Sequence, residues 1–268
     1  MSGLAGVFMR DGTPADPAIV ASMAATTPHR HPDGQWGLSD GCFAAIRQRT
    51  VTTPEDQHEC SPVVDYDARL SMFFDGRIDN RRELADALRI PSAQRCTLPD
   101  AGLALEAWKA WGRKAPERLL GDFAFVVWDA GEQSLFCARD PMGVRPLFHF
   151  LSEHAFVFGS ELRQVLEHPL VPKEPDESTV AGLLQVSLRD PSRTLYRGVR
   201  RLPHAHALVV KPGTICQWRY WDVDGPRALA YRDDREYAEA FREVFDVAVE
   251  ARLRSCGPVG AYLSGGLD

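Results

Sequence analysis

The last residues of the chain have the composition of a phosphate-binding loop. Ser264, Gly265 and Gly266 follow an apolar run at 259–263, and that run follows apolar residues at helical spacing between 237 and 251. Glycines allow backbone N–H groups to close on phosphate oxygens without obstruction by a Cβ, and a serine hydroxyl can add a donor. A glycine-rich strand end can equally be a simple turn, so the pattern alone does not decide between the two.

Two pairs of histidines invite a metal-site interpretation. His29 stands two residues before His31, and His204 two residues before His206. No cysteine or carboxylate cluster with the spacing of a zinc site accompanies either pair, so we predict no metal site. The six cysteines are scattered without C-x-x-C pairs, which is typical of reduced structural thiols.

Short apolar runs and amphipathic helices must position these groups. The run 3–8 begins almost at the N-terminus and suits a buried strand. An Asn-x-x-Glu pattern at Asn80 predicts one helix start, and a second helix is predicted from near Asp100 until Gly112. Closely spaced strands separated by Gly- or Pro-containing turns then predict an antiparallel meander, with strands at 123–128, 134–138, 147–150 and 155–158.

The second half of the chain reads as a connection followed by the start of another unit. Three prolines between 169 and 175 mark a stiff connection, followed by a short helix at 180–184 and a strand at 208–211. A helix capped by Asp233 and a buried strand at 259–263 follow. We therefore expect a first domain at 1–168, a connecting region at 169–232 and the beginning of a further domain at 233–268.

The composition narrows the classes of function. The 268 residues are 44% hydrophobic and 25% charged, which is ordinary for a soluble globular protein, and the formal net charge of -6 offers no basic surface for nucleic acid. No apolar stretch approaches the roughly 18 residues of a membrane span, and no signal pattern opens the chain. We expect a cytoplasmic protein with a small-molecule or peptide substrate and no nucleic-acid or membrane partner. A homodimer is left open.

Ordered motifs cover nearly the whole chain, at 3–8, 30–34, 75–84, 118–125, 138–140 with Gly143, 158–161, 218–221 and 263–268. Together they resemble the asparagine synthetase family, whose amidotransferase domain belongs to the N-terminal-nucleophile hydrolases. The resemblance implies an α+β fold, an αββα sandwich followed by the first helix and strand of an α/β ATP-pyrophosphatase domain.

The resemblance assigns the terminal loop to ATP. In the family this loop receives pyrophosphate while ATP activates a carboxylate as an acyl-adenylate, which an amine then attacks. The full-length protein is therefore expected to use ATP and Mg²⁺. The loop residues that match are Leu263, Ser264, Gly265, Gly266 and Asp268.

The glutaminase site implied by the resemblance is degenerate. Removal of Met1 in the family leaves a cysteine nucleophile whose α-amine serves as base, but this chain has Ser2. A hydroxyl is a much poorer nucleophile than a thiol near neutral pH. Asp75-Gly76 stands where the family has an Asn-Gly pair that donates to the oxyanion, and an ionised carboxylate cannot donate. Arg77 replaces the glutamate that follows the pair.

Two further positions keep suitable charge. Arg49 and Asp100 match the family residues that hold the carboxylate and the amine of glutamine. A surface cation for Arg49 and a helix N-cap for Asp100 are the structural alternatives, and we favour them over residual glutamine binding.

Three hypotheses follow for the function. The first is a ligase that cyclises a peptide through a side-chain carboxylate, with an inactive glutaminase half, because the segment 52–59 and the block 75–84 resemble lasso-peptide macrocyclases. The second is a glutamine-hydrolysing asparagine synthetase that uses serine as nucleophile. The third is a non-catalytic binding module.

Overall fold

A computed structural model describes residues 2–59, 62–187, 190–223, 225, 229–262 and 265. Its strands all pair in the antiparallel sense. In chain order they are β1 (Gly3–Met9), β2 (Gln35–Asp40), β3 (Phe43–Gln48), β4 (Val63–Asp65), β5 (Leu70–Ile78), β6 (Gly121–Asp129), β7 (Ser134–Arg139), β8 (Phe148–Leu151), β9 (Ala155–Gly159), β10 (Val199–Arg201), β11 (His206–Lys211) and β12 (Thr214–Arg219).

The strands form two six-stranded sheets. The first has the order β10-β8-β9-β1-β3-β2 and the second the order β12-β11-β7-β6-β5-β4. The predicted N-terminal strand, β1, lies inside the first sheet, with Val7 opposite Ala44 of β3 on one side and opposite Val157 of β9 on the other. The apolar run at the N-terminus is therefore a buried strand, as its composition predicts.

Aromatic side chains fill the layer between the two sheets. Phe43 of the first sheet stacks on Trp128 of the second, with ring centroids 4.7 Å apart, and Phe8 lies 5.1 Å from the same indole. Phe73 and Phe158 belong to the same buried cluster. Large aromatic surfaces removed from water supply much of the free energy that holds the sheets together.

Helices cover the outer face of each sheet. The helix α1 packs on β1 and β3 of the first sheet, and α4 packs on β5 of the second. This is an αββα sandwich, and the predicted α+β fold class is confirmed. The helices are α1 (Pro17–Ala25), α2 (Arg81–Ala87), α3 (Ser92–Arg95), α4 (Asp100–Trp111), α5 (Leu162–Glu167), α6 (Glu177–Leu184) and α7 (Asp234–Arg252).

The predicted four-stranded meander is wrong in its pairing. All four strands form, but β6 and β7 lie in the second sheet whereas β8 and β9 lie in the first. The chain changes sheets after Asp140, whose carboxylate accepts hydrogen bonds from the backbone N–H groups of Met142, Val144 and Arg145. One buried side chain thus fixes the crossing loop, and strand spacing along the sequence cannot show this.

Strands from the stretch 169–232, which was expected to be a connection, complete both sheets. The strand β10 pairs with β8 in the first sheet, and β11 pairs with β7 in the second. The hydroxyl of Tyr220 then donates to the Arg139 carbonyl at 2.7 Å. The sandwich therefore uses residues well beyond 168.

The last helix forms as predicted, but the strand expected after it does not. Asp233 caps α7 by accepting from the backbone N–H groups of Arg235 and Glu236. Residues 259–262 are exposed and have no strand structure, and Leu263 lies outside the described residues. A strand needs a neighbour to satisfy its backbone groups, and no described segment pairs with this one. In the described parts of the chain, no helix has the length and apolar content needed to cross a membrane.

Candidate active site at one end of the sandwich

Ser2 lies immediately before β1 and is nearly buried. Its Oγ accepts a hydrogen bond from the Thr50 N–H at 3.0 Å and lies 3.3 Å from the Thr50 carbonyl oxygen, to which it can donate. Its own carbonyl accepts from Nη1 of Arg30 at 2.6 Å. The side chain of the nucleophile position is thus held by backbone groups of the segment that follows β3.

Asp75 is the most deeply buried charged group of the site. It lies on β5, two residues after Phe73 and therefore on the face that points between the sheets. Its side chain is 0% exposed, and each carboxylate oxygen is 3.6 Å from a guanidinium nitrogen, one of Arg30 and one of Arg145. These distances are too long for hydrogen bonds, and neither oxygen has another partner within the described residues.

The electrostatics of Asp75 are a balance between burial and cations. Burial raises the pKa of its carboxyl group, and the positive charges of Arg145, Arg47 and Arg30 oppose this effect only in part. Nη1 of Arg30 contacts both the Ser2 carbonyl and the Asp75 carboxylate, so the predicted nucleophile and the predicted oxyanion position share one guanidinium.

Gly76 occupies a backbone position that only glycine fits. Its φ is +153°, and a Cβ there would lie 2.1 Å from the backbone oxygen of Asp122 on β6. Gly121 of β6, which pairs with Ile78 of β5, has a φ of +144°. A Cβ there would lie 2.1 Å from the backbone oxygen of Arg77. The ends of β5 and β6 are therefore unusually close, and the two glycines allow it.

Asp100 is not the N-cap that we favoured. Pro99 holds the cap position, and Asp100 is the first residue of α4, with a side chain that points into the protein. It is 1% exposed, and its Oδ2 accepts from the Ile78 N–H at 2.9 Å and from Nη2 of Arg254 at 2.8 Å. Nη1 of Arg81 donates to its other oxygen. Asp100 is thus a buried carboxylate between two guanidinium groups.

Arg49 is half-buried, so it is not a free surface cation either. Its Nη2 donates to the Asp56 carbonyl, and its guanidinium carbon lies 5.4 Å from the ring centre of Trp36. Its Nε is buried and has no hydrogen-bond partner in the described structure. Such a nitrogen has unused capacity to bind an acceptor.

The predicted glutaminase positions converge on one end of the sandwich. Arg49 precedes Thr50, which binds Ser2; Arg30 joins Ser2 to Asp75; and β5 continues from Asp75 to Ile78, which binds Asp100. The motif order along the chain therefore identified a set of residues that is compact in space.

Four arginines and one glutamate at this end of the sandwich were not predicted as site residues from the sequence. Arg30 and Arg81 stand inside motifs that were recognised, yet residue type alone did not reveal their partners. Glu55 stands in the segment 52–59 and binds Arg254 at 2.6 Å. Arg145 and Arg254 lie far along the chain from Asp75 and Asp100, and no local pattern signals such pairs.

The histidine pairs do not gather metal ligands. Nε2 of His29 lies 2.6 Å from Oε1 of Glu161, which also accepts from Nε of Arg30 at 2.6 Å. Although burial favours its neutral form, Arg30 and His29 hold the pKa of Glu161 below its usual range. Among the described residues, no three His, Cys, Asp or Glu side chains are placed to share an ion.

The terminal loop is largely outside the described residues. Leu263, Ser264, Gly266 and Asp268 lie outside the described residues, and Gly265 alone is described. A Cβ built on Gly265 would meet no heavy atom of the described residues within 4 Å.

The sandwich and the order of its sheets define an N-terminal-nucleophile-hydrolase-type glutamine amidotransferase fold. A solved structure of glutamine phosphoribosylpyrophosphate amidotransferase from B. subtilis matches with a TM-score of 0.57 over 82% of this chain and 49% of that one, at 17% identity. A regulatory enzyme of purine biosynthesis matches with a TM-score of 0.56, at 18% identity. Likeness at this level of identity concerns the fold.

Sequence comparison gives the family. A glutamine amidotransferase domain model matches residues 1–221, and an asparagine synthase model matches residues 240–268. The chain belongs to the asparagine synthetase family, with a glutamine amidotransferase domain and the first part of an asparagine synthase domain.

Curated relatives agree with this assignment. Asparagine synthetase [glutamine-hydrolyzing] 3 of Bacillus subtilis is 31% identical over 92% of this chain and 40% of its own length. A putative asparagine synthetase [glutamine-hydrolyzing] of Mycobacterium tuberculosis is 30% identical over 98% of this chain and 43% of its own. Amidase chyE of Penicillium rubens is 30% identical over 77% of this chain and 30% of its own. The chain spans less than half the length of these relatives.

Proposed function

We propose that this chain is the N-terminal part of an ATP-dependent amide-bond-forming ligase whose glutaminase half is inactive. The observation that carries the proposal is Asp75, a fully buried carboxylate at the oxyanion position. Loss of one oxyanion donor costs roughly 100-fold to 1,000-fold in turnover, and a negative charge beside a developing oxyanion opposes the reaction further. Ser2 adds a weaker nucleophile, whose hydroxyl is already engaged with Thr50.

An inactive glutaminase half implies another source of the amine. In the proposed reaction ATP activates a carboxylate as an acyl-adenylate, with release of pyrophosphate. An amine of the substrate then attacks the acyl carbon, the bond from this carbon to the AMP oxygen breaks, AMP leaves, and the nitrogen loses a proton to give the amide. The reaction class is that of a lasso-peptide macrocyclase, and the substrate is a peptide that carries both groups. The loop residues 263–266 and Asp268 would hold the phosphates of ATP, with Mg²⁺ as counter-ion. The proposed location is the cytoplasm.

The relatives support a second candidate function. Several of them are named glutamine-hydrolysing asparagine synthetases. Among the described residues, the Nε of Arg49 has no hydrogen-bond partner, at the position where the resemblance implies binding of the glutamine carboxylate. Under this alternative Ser2 is a working nucleophile. A non-catalytic binding module is a third candidate, which only the absence of ligase activity in the full-length protein would favour.

Glutaminase assays separate the first two candidates. We expect no release of glutamate from glutamine by the purified chain. The Ser2→Cys variant should gain little, since Asp75 remains, whereas the double variant with Asp75→Asn should gain more than either single change. Ser39→Cys and Asp67→Asn are matched controls, because both residues are exposed and lie outside the site.

A steady glutaminase rate in the parent chain that Ser2→Ala abolishes would establish the alternative. Full activity from Ser2→Cys alone would show that Asp75 does not oppose the oxyanion. The ligase half is tested in a chain that continues through the whole asparagine synthase domain, by pyrophosphate release that depends on a peptide substrate.

A further inference from the structure

The segment that follows α7 folds back onto the end of the sandwich that holds the site. The Cys256 N–H donates to the Thr52 carbonyl at 3.0 Å, across about 200 residues of chain. Arg252, in the last turn of α7, pairs with Asp122 and with Asp79, its Nη2 lying 3.3 Å from Oδ2 of Asp79. The chain is thus fastened at both ends of a short segment, 252–256.

Arg254 lies in the middle of this segment and enters a pocket lined by acceptors. Its Nη1 donates to Oε2 of Glu55 at 2.6 Å, and its Nη2 donates both to Oδ2 of Asp100 and to the Ile78 carbonyl, each at 2.8 Å. Its side chain is 19% exposed, and the two carboxylates are more buried still. Three acceptors on three separate elements thus surround one planar, forked cation.

The charges in this pocket balance only when Arg254 is present. Arg81 contacts the same two carboxylates, with its Nε 3.5 Å from Oε1 of Glu55. Two carboxylates therefore face two guanidinium groups. Although burial opposes its charge, Asp100 and Glu55 raise the pKa of Arg254 above its ordinary value. Without Arg254 the pocket would keep one buried negative charge in excess.

Arg77 binds the same segment from the other side. Its Nη2 donates to the Ala251 carbonyl at the C-terminal end of α7, and its Nη1 lies 3.4 Å from the Arg254 carbonyl oxygen. A cation at a helix C-terminus is favourable, because the last carbonyls have no intrahelical donors. Arg77 and the carboxylate pocket therefore hold the backbone and the side chain of one short segment.

We propose that Glu55, Asp100 and the Ile78 carbonyl form a guanidinium-binding site whose resident ligand is Arg254, and that this contact fastens the start of the synthase domain to the amidotransferase domain. The guanidinium of Arg254 fills the pocket at Asp100. While the segment 252–256 is docked, the ammonium group of a small-molecule ligand therefore cannot reach the Asp100 carboxylate. This consequence agrees with the proposed loss of glutaminase activity, but the docking contact itself does not depend on it.

The test removes the Arg254 guanidinium from the pocket by mutation and then adds a small guanidinium compound in its place. Arg254→Ala should lower the Tm by about 5 to 10 °C, because Arg81 alone then faces two buried carboxylates and one negative charge stays uncompensated. It should also speed hydrogen exchange of the Cys256 amide at least tenfold. Methylguanidinium at millimolar concentration should bind the emptied pocket and recover a large part of the Tm, whereas methylammonium, which lacks the planar fork, should recover less.

Arg242→Ala is the matched control. Arg242 lies on α7 and is 82% exposed, and within the described part of the chain its ion pair is with Asp246 one turn later, at 3.7 Å. Its removal should change neither the Tm nor the exchange of Cys256, and methylguanidinium should not stabilise the variant. If Arg254→Ala fails to fold, Arg254→Lys provides the same readouts, since lysine keeps the charge but cannot bridge all three acceptors.

The proposal is overturned if the Arg254 variant matches the Arg242 control in Tm and in exchange, or if methylguanidinium affects both variants equally. Neither readout involves glutamine. A positive glutaminase assay would therefore remove the proposed function and leave this site standing, and a failed docking test would leave the glutaminase result unaffected.

Discussion

At the scale of single residues, the site is organised by buried charges rather than by its nucleophile. Asp75 and Asp100 are both almost fully removed from water, yet their environments differ. Asp100 receives hydrogen bonds from a backbone N–H and two guanidinium groups, whereas the oxygens of Asp75 receive none from the residues that the structure describes. A carboxylate of the first kind is an anchor for cations, and one of the second kind is an obstacle to any further negative charge.

The sequence located these residues but did not reveal their roles. Motif order identified Ser2, Asp75, Arg49 and Asp100 as one site, and the structure gathers them. The N-cap interpretation of Asp100 was wrong. It assumed that an aspartate at a helix start accepts from the backbone N–H groups of the first turn. Here the deciding partner, Arg254, lies 154 positions away. Long-range ion pairs leave no local pattern.

His149 gives a prediction on pH at this same scale. It lies on β8, stacks on Phe156 with ring centroids 5.4 Å apart, and burial with the nearby charge of Arg200 lowers its pKa from 6.5 to about 4. The unfolded chain therefore binds a proton at a higher pH than the folded one. His149 should stabilise the fold fully above pH 6.5 and lose this contribution as the pH falls towards 4, by about 3 kcal/mol.

His149→Phe should remove that loss, so the free energies of unfolding of parent and variant should converge, or cross, as the pH is lowered from 7 to 4. Urea unfolding at a series of pH values measures the difference. His58→Gln is the control, because His58 is exposed and its replacement should leave the pH dependence of the parent unchanged. A constant difference between parent and His149→Phe across this range would contradict the argument.

At the scale of elements, the end of the β5–β6 pair fixes the place of Asp75 and Gly76, the predicted oxyanion position. Asp75 faces Ala124 and Gly76 faces Phe123 in the register of the pair. The helices and strands around it were largely predicted, since each forms from its own apolar pattern and its own caps. The meander failed because the pairing of β7 and β8 depends on which sheet each joins, and both sheets offer apolar edges of the same kind.

Gly76→Ala tests how closely β5 approaches β6. A methyl group at this residue would collide with the Asp122 carbonyl oxygen, and the φ of +153° is strained for alanine. We expect a loss of about 3 kcal/mol or more in the free energy of unfolding. Gly37→Ala on β2 is the matched control, because a Cβ there would meet its nearest atom at an ordinary 3.4 Å. Equal stabilities of the two variants would refute the close approach.

At the scale of the whole molecule, the sandwich is more deeply buried than α7. The two sheets share a buried aromatic layer and carry helices on their outer faces, whereas α7 leaves large apolar side chains exposed, with Phe241 71% exposed and Val244 72%. Its fixed end is the C-terminal one, where Arg252 and Arg254 bind the sandwich. The helix was predictable from its periodicity, but its anchoring was not, since it depends on side chains from β5 and α4.

The terminal loop supplies the last prediction, which belongs to the protein as a whole. Among the described residues, no heavy atom lies within 4 Å of the Cβ position of Gly265, so Gly265→Val should leave the Tm of this chain within about 1 °C of the parent. In a chain that continues through the synthase domain, the same change should reduce pyrophosphate release at least 100-fold, because the branched side chain would occupy the space of a phosphate. Gly257→Val is the matched control: Gly257 is equally free of neighbours and lies on the same segment before the loop, so it should spare both the Tm and the activity. Parent rates of pyrophosphate release in the Gly265 variant would refute the assignment of this loop to ATP.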